Sequence, residues 1–334
     1  MRSATATYKP IIGMLVITLV LMIAIPAGLA GLLSKTGSRN GESRLQAAPD
    51  DMKIKIYLKE QKQVVELPLE EYVKGVVAAE MPVTFSMEAL KAQAIAARTN
   101  AVRRIQKNLL TPEGAHITDD HRDVQAYSSD EKLKKRWGVF EYQFNLNKIA
   151  QAVNETRGQI LSYNGEPIDA LFFSASNGKT ENSQDYWGRP LPYLRSVDSP
   201  WDKQTKYMEG TKSIPLEEFH RLLGIPSAVT AANQNQTIQV LETSATNRVK
   251  KIRVAGITIT GPQFRETLGL ASTDFSWKVE GSTITFTTRG NGHGVGMSQY
   301  GAEGMAKEGK QAHEILSHFY QGATLTPYQT AMKE

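Results

Sequence analysis

The chain has 334 residues, 40% apolar and 22% charged, with 39 Lys and Arg against 34 Asp and Glu and no cysteine. That length supports a sizeable core in one or two domains, and the lack of cysteine excludes disulfides and thiol chemistry. The formal net charge of +5 comes with no basic-aromatic motif, which argues against nucleic acid as a partner; outside a membrane it suits anionic lipid, cell-wall polymer or simple solubility.

Residues 11–33 carry no charge and are long enough to span a bilayer. Arg2 and Lys9 precede them, so the N-terminus is expected in the cytoplasm and the bulk of the chain outside the cell. A cleaved signal peptide is the rival, but the apolar run exceeds a usual signal core, which favours an uncleaved anchor. The expected organisation is a cytoplasmic tail (1–10), a transmembrane helix (11–33), a Gly/Ser-rich linker (34–50) and an extracytoplasmic domain (51–334).

Within that domain, alternation predicts strands over Lys53–Leu58 and Val64–Leu67. Leu69, Tyr72, Val73, Val76 and Val77 form the stripe of an amphipathic helix that Pro82 ends. Glu80 is the next position on that apolar stripe, at the C-terminal end. Desolvation and the negative end of the helix dipole both oppose its ionised form, which is what a general acid requires.

A second helix is expected from Ser86 to Lys107, alanine-rich, with Arg98 on its inward stripe in need of an anionic or carbonyl partner. Glu80 is the nearest such partner in sequence. Residues 111–135 read as a polar loop, 147–156 as a helix, and 159–163 and 169–174 as strands. Residues 201–230 mix a short helix with loops. Strands follow at 237–241, 249–254, 277–280 and 283–288, with a short helix at 263–268. The fold class is α+β, two packed helices against antiparallel strands.

The densest signal is Arg289-Gly-Asn-Gly-His293-Gly-Val-Gly-Met-Ser298-Gln299-Tyr300-Gly301-Ala302, with glycine at four alternate positions and a helix expected beyond it. Such a loop lets backbone approach a ligand closely. Ser174 to Thr180 leaves a strand into a turn that presents the hydroxyls of Ser176 and Thr180, with Tyr186 and Trp187 after it. Hydroxyls beside aromatic rings suit a sugar. His116 and His121 stand five apart among aspartates, a weak metal pattern, and the domain is read as free of metal and cofactor. No G-x-S-x-G elbow and no H-E-x-x-H occurs.

Val77-Ala-Ala-Glu80-Met-Pro82, Glu88 to Thr99, Ser174 to Thr180 and Gly292 to Ala302, in that order, resemble the stage II sporulation protein D family, which includes amidase-enhancer relatives. The resemblance implies a peptidoglycan lytic transglycosylase acting in engulfment, which cuts peptide-free glycan strands to 1,6-anhydro-N-acetylmuramic acid ends. It implies Glu80 as catalytic acid/base with Arg98 in support, and Ser176, Thr180, His293, Gln299 and Tyr300 along the substrate groove. The implied partners are glycan strands, an exported amidase/endopeptidase and a multi-spanning membrane protein. The alternative is a non-catalytic wall-binding module that enhances an amidase. Asn177 stands where the family often has glycine, and the zinc site of cysteine-bearing relatives does not carry over.

Overall fold

The structure is a computed structural model that describes residues 52–120, 122–225 and 238–331. The expected tail, membrane helix and linker, and His121, lie outside the described residues. Among the described residues no helix is long and apolar enough to cross a membrane.

β1 (Lys53–Leu58) and β2 (Gln63–Pro68) pair antiparallel, with Lys53 opposite Pro68. Their alternation buries Ile54 and Ile56 completely. α1 (Leu69–Glu80) follows directly, and all five residues of its predicted stripe are fully buried. α2 (Met87–Gln106) is buried on every side, so its alanines serve close packing against α1 and later helices. Ser86 precedes it, yet no side-chain cap forms; the Ser86 N–H instead donates to Glu303 Oε2 at 2.6 Å.

The segment expected to be a loop from 111 to 135 contains β3 (Ile117–Thr118), and α3 (Asp130–Glu155) begins well before the predicted 147. Its first half is basic and projects Val139, Phe140 and Phe144 outward, so no buried stripe marked it. The chain bends at Gly138, where φ is 72° and ψ is 168°. β4 (Gln159–Tyr163), β5 (Glu166–Pro167), β6 (Phe172–Phe173) and the short α4 (Ser183–Trp187) come next, then a 3-10 turn at Pro200–Gln204.

β7 (Gly210–Pro215), α5 (Leu216–Leu222), β8 (Ile238–Thr243), β9 (Val249–Val254), β10 (Ile257–Thr260), α6 (Gly261–Leu268), β11 (Phe275–Glu280) and β12 (Thr283–Thr288) surround a second core. At its centre Phe219, Phe264, Phe275 and Phe286 pack with ring centroids 5.1 to 6.3 Å apart. β13 (Met297–Ser298), α7 (Gln299–Lys307), α8 (Ala312–Phe319), β14 (Thr324–Pro327) and α9 (Tyr328–Ala331) return to the first core. The α+β class holds, with sheets ordered β2-β1-β3, β14-β4-β5 and β13-β6 around the first core and β11-β12-β7 and β10-β9-β8 around the second. Two short pairings, β1 with β3 and β6 with β13, are parallel rather than antiparallel. Among the described residues, both cores are built from positions between 52 and 331.

The glycine-rich loop is laced to 171–181 by bridges Ala175–Asn291 and Glu181–Val295 and by the β6–β13 pair. Its alternating glycines all have positive φ, but they face protein rather than an open cradle. A Cβ on Gly296, where φ is 81°, would lie 2.1 Å from the Leu171 carbonyl oxygen. Gly296→Ala is therefore expected to cost about 3 kcal/mol or more through combined strain and overlap. Urea unfolding checks this, and an unchanged midpoint would refute the close-packing role.

Candidate active site

Glu80 is the last residue of α1, since Met81 turns to extended backbone before Pro82. The end of α1 and the turn beyond it, from Ala78 to Val83, with Arg136, Trp137, Ser174, Tyr207, Gln299 and Tyr300, line a cleft of about 280 Å³. Glu80 is half-buried there, and it is the one acid among the described residues lining the cleft.

Two donors from distant parts of the chain fix its carboxyl. The Ala126 N–H donates to Oε1 at 2.6 Å, and Gln299 Nε2 donates to Oε2 at 3.2 Å. Both bonds fix the orientation of the carboxyl in the cleft. Ala126 is held by its buried neighbour Gln125, whose amide donates to Tyr72 Oη at 2.9 Å and to the Ala97 carbonyl at 3.3 Å. Gln125 also accepts from Asn100 Nδ2 at 3.2 Å. The stretch read from sequence as a polar loop thus delivers a backbone donor to Glu80.

Gln299 and Tyr300 open α7, and Ser298 caps it by accepting from the Gly301 N–H at 3.1 Å. Ser298 in turn donates to Asp202 Oδ1 at 2.8 Å. Asp202 is fully buried and also receives Ser176 at 2.5 Å and Ser199 at 2.8 Å. Burial raises its carboxyl above the ordinary value, while the serine donors pull it back down. This three-serine knot anchors the start of α7, and so sets Gln299 and Tyr300 over Glu80. Tyr300 packs edge-on against Phe85 at 5.0 Å and Tyr207 at 5.4 Å.

Three sequence expectations are corrected by this geometry. Arg98 does not meet Glu80: it is fully buried and pairs with Glu70 through Nε at 2.7 Å and Nη2 at 2.6 Å. Its remaining donors reach the carbonyls of Gln159 at 3.1 Å and Val153 at 3.2 Å, so it clips α1, α3 and β4 together. Ser176 and Thr180 do not present hydroxyls to a groove. Both are fully buried, Ser176 on Asp202 and Thr180 between the Arg195 carbonyl at 3.4 Å and the Val197 N–H at 2.9 Å. His293 does not line the cleft at Glu80 either. Its ring lies among Phe173, Trp187 and Tyr186 at 5.6, 5.3 and 5.9 Å, and its Nδ1 accepts from the Val295 N–H at 3.1 Å.

Burial, helped by the nearby charges of Arg265 and Arg248, pushes the His293 imidazole from 6.5 down to about 3. The folded state therefore binds fewer protons than the unfolded chain between those values, and stability falls as the pH drops through that window. Thermal unfolding of the parent should weaken from pH 6.5 toward 3, and His293→Gln should flatten that dependence. Identical slopes in the two proteins would contradict a neutral imidazole in the folded state. His116 Nδ1 accepts from the Lys55 N–H at 3.0 Å, and no cluster of metal-ligating side chains occurs among the described residues.

Arg136, Trp137 and Tyr207 escaped the sequence reading. Trp137 sits in a basic run beside a glycine, where no periodicity is visible. Ala126 contributes only backbone, which leaves no side-chain signature.

A family model described as stage II sporulation protein, SpoIID, matches residues 57–163, from β1 through β4. The chain is 46% identical over 295 residues to stage II sporulation protein D of Bacillus subtilis strain 168, which covers 88% of this chain and 83% of that protein. The chain belongs to the SpoIID family. The stage II sporulation protein D of Bacillus amyloliquefaciens is 45% identical over 86% of this chain and 82% of its own length. A more distant relative, the amidase enhancer of Bacillus subtilis, is 30% identical over 76% of this chain and 40% of that protein. The matched SpoIID span carries Glu80 and Arg98, whereas Gln299, Tyr300 and His293 lie beyond it.

Proposed function

We propose that this sporulation protein is a lytic transglycosylase that cleaves peptide-free peptidoglycan strands, with Glu80 as the single acid/base. The reading rests on one carboxyl in a cleft, gripped by the Ala126 N–H from the segment between α2 and α3 and by Gln299 from the C-terminal motif. A hydrolase that activates water ordinarily needs two carboxylates. Intramolecular transfer needs only one. Glu80 gives its proton to the bridging oxygen as the bond from C1 of N-acetylmuramic acid breaks. The sugar's own 6-hydroxyl then closes on C1 and returns its proton to Glu80. The products are a free 4-hydroxyl on the leaving sugar and a 1,6-anhydro end. Gln299 orients the carboxyl, and Tyr300, Tyr207 and Trp137 offer apolar faces to the sugar rings.

The localisation that goes with this chemistry is a single-pass membrane protein, N-terminus in the cytoplasm through residues 11–33, with the domain from 51 onward outside. Its working partners are an exported amidase/endopeptidase that strips stem peptides and a multi-spanning membrane protein. The relative named amidase enhancer supports a second reading, a wall-binding module that speeds an amidase without cutting glycan. Incubation of the purified protein alone with peptide-free glycan separates the two. Anhydro-ended fragments support cleavage; intact glycan, with faster turnover of an added amidase, supports the enhancer.

A further inference from the structure

The bend in α3 leaves an apolar elbow that the fold does not use. Val139 is 86% exposed, Phe140 99% and Phe144 75%. They project from the turn at Gly138, around which a Cβ would meet nothing within 4 Å. Isolated apolar residues on a surface are ordinary, but three large side chains within six positions, none with a packing partner in a core cluster, are not.

The base of the elbow has a definite chemistry. Trp137 and Tyr142 are half-buried there, with ring centroids 6.4 Å apart, and Lys134 Nζ stands 5.2 Å from the Tyr142 ring. From 132 to 140 the chain has four cations, Lys132, Lys134, Lys135 and Arg136, and no acid; Glu131 and Glu141 flank the run. Lys132 is engaged by Glu60 and Asp119, and Arg136 by the Ala78 carbonyl and Ser128. Lys134 and Lys135 remain exposed beside the apolar tips.

We propose that this elbow is a membrane contact that inserts Val139, Phe140 and Phe144 between the headgroups of an anionic bilayer. Apolar tips, a collar of Trp and Tyr, and lysines at the same level match the layering of a lipid interface from acyl chain to phosphate. A glycan strand fits the elbow less well, because phenylalanine and valine offer a sugar no hydrogen bond. Arg136 and Trp137 belong at once to this elbow and to the Glu80 cleft. Insertion therefore holds the cleft against the bilayer and confines it to strands next to the membrane. The contact rests on the outside location proposed above, but not on the glycan chemistry.

The test is flotation of residues 49–334, which contain both cores and form one compact unit, with vesicles of phosphatidylglycerol and phosphatidylethanolamine, compared with phosphatidylcholine vesicles. The parent should float with the anionic vesicles. Phe140→Asp with Phe144→Asp should lower the bound fraction by about tenfold or more. Lys134→Glu with Lys135→Glu should remove the preference for anionic lipid. Unchanged thermal unfolding and unchanged cleavage of soluble glycan would show that these exposed changes act at the membrane alone. A parent that stays unbound, or a double aspartate variant that floats as well as the parent, overturns the proposal. So does a parent that ignores vesicles while the variant loses binding to wall material, which would assign the elbow to polymer. Loss of glycan cleavage in the parent would leave the flotation result untouched, so the two proposals fail separately.

Discussion

Arg98→Met is expected to destabilise the domain by about 3–5 kcal/mol, because it strands the Glu70 carboxylate in the core. Glu70 and Arg98 are both buried and joined by two hydrogen bonds of 2.7 and 2.6 Å. The Gly158 N–H adds a third contact to Glu70 Oε1 at 3.4 Å. Arg98 is among the largest fully buried side chains, so its removal also leaves a space to fill. Replacing both members, Arg98→Met with Glu70→Gln, removes the orphan charge and should recover much of the loss. Urea unfolding of the two single variants and the double variant measures this. Parent-like unfolding of Arg98→Met combined with loss of glycan cleavage would move Arg98 into the chemistry and contradict its role as a clip.

Glu80→Gln carries the larger effect on activity. Its amide oxygen can still accept from the Ala126 N–H, and its amide nitrogen can donate to Gln299 once the Gln299 amide turns over, so packing is retained and the unfolding free energy should stay within about 0.5 kcal/mol of the parent. What is lost is the proton for the bridging oxygen and the base that takes it back from the 6-hydroxyl. Cleavage of peptide-free glycan should fall by roughly 10²- to 10⁴-fold. Because no second acid lines the cleft among the described residues, no neighbour can substitute. A parent-like rate would remove Glu80 from the mechanism.

Much of the first core was legible because its periodicities are clean. The β1 alternation buries Ile54 and Ile56, the Leu69–Val77 stripe is buried throughout, and the stripe led directly to Glu80. The inward position of Arg98 was visible too, but its partner was not. Glu70 lies in the first turn of α1 and reads as a solvent-facing N-terminal acid until the packing of α1 on α2 is known. The Ser176 and Thr180 hydroxyls looked like sugar ligands because a turn exposes its side chains by default. Here the turn is roofed by the glycine-rich loop and the Asp202 knot, which only the tertiary fold brings over it. The alternating glycines marked a close approach correctly, although they meet the backbone and side chains of neighbouring segments rather than a ligand. α3 was cut short in prediction because its outward apolar residues disrupt the helical period that buried residues usually create.

Glu80 is proposed to direct an internal sugar hydroxyl, not water, to C1. The most direct measurement is the mass of fragments released from peptide-free glycan digested in heavy-oxygen water. The parent should form 1,6-anhydro ends, lighter by one water than hydrolysed ends and carrying no solvent oxygen, and Glu80→Gln should form none. Reducing ends labelled with solvent oxygen, or equal release by the Glu80→Gln variant, would contradict it.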